Sequence, residues 1–148
     1  MRQVFHLRVL IMSKMKELYS IEEALKEQIK YCHELSNYRC GFYINKLNNR
    51  KFIVDEMRKL LEQDCEVEKI INNSFNTEIH FKNGSSLRVI RACDNARGHK
   101  NHGVIIDHEI DMQTINNIIM PSMMPRRINE FDRESWEEVK KRIMYCVL

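Results

Sequence analysis

A chain of 148 residues with 43% hydrophobic content holds enough apolar material for one continuous core, and a single domain over residues 1–148 is expected. Lys and Arg number 24 against 21 Asp and Glu, and the resulting net charge of +3 is too small to mark a nucleic-acid binder without local clustering. Five scattered cysteines without a C-x-x-C pair argue against a disulfide framework and a zinc ribbon, and point to a reducing cytoplasm. No apolar run approaches the roughly 20 residues that span a bilayer. The stretch Val4 to Met12 is interrupted by His6 and Arg8 and lacks a small-residue cleavage site.

Residues 1 to 11 read either as a strand or as an upstream extension, since Met12 precedes an ordinary polar start, Ser13-Lys14-Met15. Ser20 and Glu23 have capping-box spacing, which starts a helix. Leu18, Ile21, Leu25, Ile29, Cys32 and Leu35 then share one face at spacings of three and four. Cys40 to Leu47 reads as a short buried strand, and Asn48-Asn49 as the turn and cap of a second helix that turns Ile53, Met57, Leu60 and Leu61 inward. Residues Glu78–Lys82 and Leu87–Arg91 alternate around Asn83-Gly84, the pair best suited to a tight hairpin turn. Gly103 to Asp107 is a continuous apolar run ending in an acid, as in a central strand covered on both faces. A helix from about Met112 to Met120, capped by Asp111, is expected to stop before Pro121, with an exposed loop from Pro121 to Asn129. Trp136, Val139, Ile143 and Val147 mark a last helix capped at Ser135 and Glu138, with Trp136 as its anchor. Core packing is the expected role of Met112, Met120, Met123 and Met124. The predicted fold class is α/β, a small three-layer sheet flanked by helices, with strands near 41–46, 76–82, 86–92 and 103–107.

The series Phe81-x-Asn83-Gly84-Ser85, Ala96-Arg97-Gly98, Val104-Ile105-Ile106-Asp107, then a helix and Pro121, resembles the middle of a phage terminase large subunit, a DNA-packaging ATPase. The resemblance covers roughly residues 40 to 125 and implies a P-loop-ATPase-like core. It places Asp107 in the Walker B position that holds Mg²⁺. His108 stands where that family has its catalytic Glu, and Glu109 comes one position late, on the face of Asp107 if the strand continues. None of the four glycines precedes Lys-Ser or Lys-Thr, so the phosphate-cradling loop is missing. The resemblance therefore implies a fragment or degenerate paralogue that takes Mg²⁺ and ATP only with a partner chain. Its partners would be double-stranded DNA or other packaging subunits.

Lys82, Arg88, Arg91, Arg97 and Lys100 gather positive charge around the hairpin and the next loop, the residues expected to contact nucleic-acid phosphates. Cys93, His99, His102, His108 and Glu109 form, with Asp107, the densest group of metal-ligating types. Two alternative readings use other chemistry. One is a small phage regulatory or anti-defence protein that binds a host protein; the other is an HNH-like, metal-dependent nuclease with His108 as base.

Overall fold

The structure, a computed structural model, describes residues 5–8, 15–74, 76–93 and 96–148. In chain order these form β1 (Phe5–Arg8), β2 (Met15–Ser20), α1 (Ile21–Glu34), β3 (Arg39–Ile44), α2 (Asn49–Leu61), β4 (Val67–Asn72), β5 (Thr77–Phe81) and β6 (Ser86–Arg91). There follow β7 (Gly103–Asp107), α3 (Met112–Thr114), α4 (Trp136–Lys140) and β8 (Ile143–Val147). All the strands join one eight-stranded sheet in the order β1-β2-β8-β7-β3-β6-β5-β4. Its centre, β2 to β6, is parallel, and the outer strands β1, β5 and β4 add antiparallel pairs.

Every residue of β7 is buried, so the strand needs cover on both faces. On one face α1 and α2 pack Leu25, Ile29, Ile53 and Met57 against Phe42, Ile105 and Met144. On the other, Ile115, Ile118, Ile119, Met123 and Val139 cover Tyr43, Val104 and Ile106. The alternation of β-strand side chains divides the two cores, and the result is a mixed α/β sandwich of three layers.

Ser20 caps α1 as its spacing predicts, its hydroxyl accepting from Glu23 N at 3.2 Å. Asp111 caps α3 (Thr114 N to Asp111 Oδ1, 2.7 Å), although the helix is α-helical for three residues and continues as a π-turn over Ile115–Ile119. Asn48 makes no side-chain cap to α2. The last predicted helix is corrected: it ends at Lys140, and Ile143–Val147 is a parallel strand between β7 and β2. Ile143 and Val147 are β-formers whose spacing of four from Val139 mimics a helix; the half-buried, buried alternation is that of a strand. Trp136 is largely exposed, and Val139 is the residue that anchors α4. The Pro121–Asn129 loop is exposed at its far end, but Ser122 and Met123 are buried. Of the N-terminal strand reading, Phe5–Arg8 is a strand and residues 1–4 and 9–11 lie outside the described residues.

The β5–β6 hairpin forms where Asn83-Gly84 predicts it, with a three-residue loop rather than a two-residue turn. Gly84 alone takes positive φ (+86°), Gly84 N donates to Phe81 O at 3.0 Å, and Phe81 N donates to Ser85 O at 2.9 Å. This loop closes the carboxyl end of α1. Asn83 Nδ2 donates to Cys32 O at 2.7 Å and Ser85 Oγ donates to Leu35 O at 2.7 Å, satisfying carbonyls that a helix end leaves without partners. A Cβ on Gly84 would come within 2.1 Å of Asn37 Oδ1. Gly84→Ala is therefore expected to cost about 2 kcal/mol through its φ and this contact, and Asn83→Ala about 1–2 kcal/mol through the lost cap. Urea unfolding measures both, and a Gly84→Ala midpoint equal to that of the parent chain would contradict the clamp.

Candidate nucleic-acid interface and the carboxyl end of β7

Asp107 lies at the carboxyl end of a central parallel strand, where α/β sheets usually bind ligands. Its side chain is fully buried and already engaged: Oδ2 accepts from Asn45 N at 3.1 Å, and Oδ1 accepts from Glu109 N at 3.0 Å. The carboxylate thereby ties the β3–α2 connection to the turn after β7. The strand stops at Asp107, so Glu109 does not continue it; it sits exposed in the turn, and the shared face expected for the pair does not form. His108 Nδ1 lies 3.2 Å from Cys146 O and 3.6 Å from Asp107 Oδ1.

These residues fit Mg²⁺ and ATP poorly. A hard cation needs carboxylate oxygens open to it, and both Asp107 oxygens are taken by backbone N–H groups in a solvent-free position. The junction of β2 and α1 offers no phosphate loop either. That strand passes into α1 without a loop, Ser20 being its last residue and also the helix cap, and Glu22 and Glu23 place negative charge in the first helical turn. Among the described residues, no group of three His, Cys, Asp or Glu side chains is placed to hold a metal ion. The five cysteines are free thiols, and burial pushes Cys32 and Cys146 up to about 12, well away from reactive thiolate.

The five predicted phosphate contacts divide. Lys82 lies in the hairpin loop at the amino end of β6, away from the rest. Arg88 and Arg91 line a groove of about 220 Å³ on the face of β5 and β6, together with Glu78, Cys93 and His99. Arg97 and Lys100 line an adjoining hollow of about 160 Å³ that shares His99. Arg88, Arg97 and Lys100 thus line hollows that share His99, whereas Arg91 meets the groove at the end of β6, where it pairs with Ile44 on the α1 and α2 side of the sheet. The fold adds Arg39, which parallel pairing of β3 with β6 brings beside them. Burial lowers the Arg39 pKa, and the Arg88 charge lowers it further, so two guanidiniums crowd each other. Among the described residues Glu78 answers Arg88, 3.0 Å from its Nε and 3.5 Å from His80 Nε2; Asp94, the acid that stands between Arg91 and Arg97 in the chain, lies outside the described residues. Burial and then the Arg88 and Arg39 charges lower the His99 pKa, against the opposing charge of Glu78.

A second polar set was invisible to sequence patterning. Tyr38 OH donates to Gln28 Oε1 at 2.6 Å, and Gln28 Nε2 donates to Arg142 O at 3.0 Å, both buried. Arg142 forms a two-pronged pair with the Glu134 carboxylate and donates through Nε to His102 O at 3.0 Å. Arg39 N donates to His102 Nδ1 at 3.0 Å, so the His99-x-x-His102 spacing serves no shared ion here: His102 is a neutral hydrogen-bond acceptor. Compared with protein-family models, curated proteins and solved structures, the chain matches none of them.

Burial, followed by the charge of Arg126, brings the His102 pKa from 6.5 down to about 4. Between those values the unfolded chain binds a proton that the native chain refuses. Stability is thus complete above pH 6.5 and falls as the pH drops toward 4. Burial works against ionisation of Glu134, but its bonds to Arg142 and Arg126 hold its pKa below 4.5, so it adds a loss of the same sign at lower pH. His102→Asn, which keeps an acceptor and does not titrate, is expected to flatten the decline between pH 6.5 and 4 in urea unfolding. An unchanged slope would assign it to other groups.

Proposed function

We propose that this chain is a non-hydrolysing relative of the terminase ATPase core that contacts double-stranded DNA through the β5–β6 face, alone or with packaging subunits. The placing of Arg39 and Arg88 beside His99, with Arg97 and Lys100 in the adjoining hollow and Arg91 at the groove's end, carries this reading. Terminase-like character is supported by Asp107 at the end of a central parallel strand, preceded in the chain by the Asn83-Gly84-Ser85 hairpin. The loopless β2–α1 junction and the saturated Asp107 carboxylate argue for a role without ATP.

The groove's size supports this choice of ligand. Small-molecule pockets usually run from roughly 300 Å³ upward. At about 220 Å³ the groove takes a phosphate and part of a sugar more readily than a whole nucleotide, and a phosphodiester backbone presents such units in series. Anisotropy titration of the purified chain with duplex DNA is expected to show affinity falling steeply with salt. Arg91→Ala and Lys100→Ala should each weaken binding and reduce the log–log salt slope by about 1, whereas Lys82→Ala should leave the slope unchanged. Mg²⁺-ATP should produce no shift in Tm. Salt-insensitive or absent DNA binding, or an equal effect of Lys82→Ala, would overturn the assignment.

A further inference from the structure

The segment Arg126–Glu134 projects from the amino end of the parallel strands as a hydrogen-bonded arm. Arg126 N donates to Glu134 Oε1 at 2.7 Å, Glu134 N donates to Arg126 O at 2.9 Å, and Arg127 and Arg133 form an antiparallel bridge. At the tip, Asn129 Oδ1 accepts from both Phe131 N and Asp132 N at 2.9 Å. The foot is fixed by Arg126 Nη2 to Ser36 O (3.0 Å) and by the buried Glu134–Arg142 pair. This ordered tip leaves Phe131 88% exposed and Ile128 64% exposed. A phenyl ring held in water adds little to folding, and the backbone bonds of the turn fix its position. Glu130 and Asp132 flank the ring with negative charge.

The carboxyl end of the sheet carries a matching hollow. Between α2 and the end of β4 lies a cavity of about 440 Å³, within the size range of ligand pockets. Leu47 and Val54 supply its apolar surface, and Arg50, Lys51 and Arg58 outnumber Asp55 around it. Arm and hollow lie beyond opposite ends of β3, a strand of six residues and hence about 20 Å. The arm of one molecule is therefore directed away from its own hollow.

We propose that the two engage between copies of this chain. Phe131 of one copy seats in the hollow of the next, and Glu130 and Asp132 face the basic rim of Arg50, Lys51 and Arg58. The surfaces differ, so the contact is head-to-tail, and repeated addition gives a ring or an open file. Charge complementarity selects a second copy: Glu130 and Asp132 stand beside the ring at the turn, with Arg127 and Arg133 set back along the arm, and the hollow's rim is basic.

Sedimentation velocity across a wide concentration range tests this. The parent chain is expected to self-associate. Phe131→Ala and the double variant Lys51→Glu/Arg58→Glu should each weaken association by about tenfold or more, as the loss of central contacts does. All three changed side chains are exposed, so an unchanged Tm confirms that each variant is folded. Mixing the two variants gives the decisive result. The double variant keeps an intact arm and Phe131→Ala keeps an intact hollow, so the mixture should form a one-to-one dimer that grows no further. A monomeric parent chain, variants that associate as the parent does, or a mixture that stays monomeric would each overturn the proposal.

Discussion

The hydroxyl of Tyr38 is the point on which the described structure turns. Tyr38 is fully buried, and its hydroxyl occupies the space beside Gly103 where any side chain would start: a Cβ there would come within 1.7 Å of it. A buried hydroxyl without a partner costs on the order of 1–3 kcal/mol, and Gln28 on α1 removes that cost. Gln28 in turn binds the backbone of Arg142, whose guanidinium lies 5.5 Å from the Tyr38 ring centroid and closes on Glu134 at the foot of the arm. One continuous polar network thus sets where α1, β3, β7, β8 and the arm meet. Its members depend on one another, since removing any one strands a buried charge or dipole.

The parts of the fold that were legible in the sequence are those governed by local chemistry. Ser20 and Asp111 accept from the N–H groups that their spacings predict, and the two faces of β7 are apolar because both are covered. The parts that were not legible depend on partners distant in the chain. Val67–Asn72 forms β4 at the sheet edge with Glu68, Lys69 and Ile70 exposed, so it lacks the alternation that signals a strand. Ile143–Val147 shows 3–4 spacing when read together with Val139, and its strand character comes from β7 on one side and β2 on the other. The cationic site was legible in part. The arginines and Lys100 stand close together in the chain, but Arg39 joins them through parallel pairing 47 positions away from its partner Ser86, and Lys82 leaves them because a β-strand separates its ends.

The residues that carry the terminase resemblance acquire structural explanations of their own. Asn83 and Ser85 close the end of α1, Gly84 supplies the φ that their loop requires, and Asp107 holds the β3–α2 connection through two backbone N–H groups. These tasks exist whether or not a nucleotide ever binds. A chain with an ATPase-like core could therefore keep these residues for stability after losing its phosphate loop, because each still answers a polar group that burial would otherwise leave unpaired. The motif residues are then accounted for by folding alone, and the argument for function shifts to the basic side chains around the groove.

Those charges and the exposed aromatic tip lie on separate surfaces. The groove faces away from α1 and α2, on the side of Ile90, whereas the hollow belongs to the α2 side of the sheet and the arm to its amino end. Copies joined arm to hollow would leave each groove uncovered, so the two proposed contacts do not compete for area. They would reinforce each other on a long polymer: each copy brings only a few phosphate contacts, and linking copies converts later encounters with the same DNA into intramolecular ones. A net charge of +3 is a weak electrostatic footprint for one molecule. The basic residues of the groove, repeated along a file of copies, would on the two proposals present an anionic backbone with many points of contact.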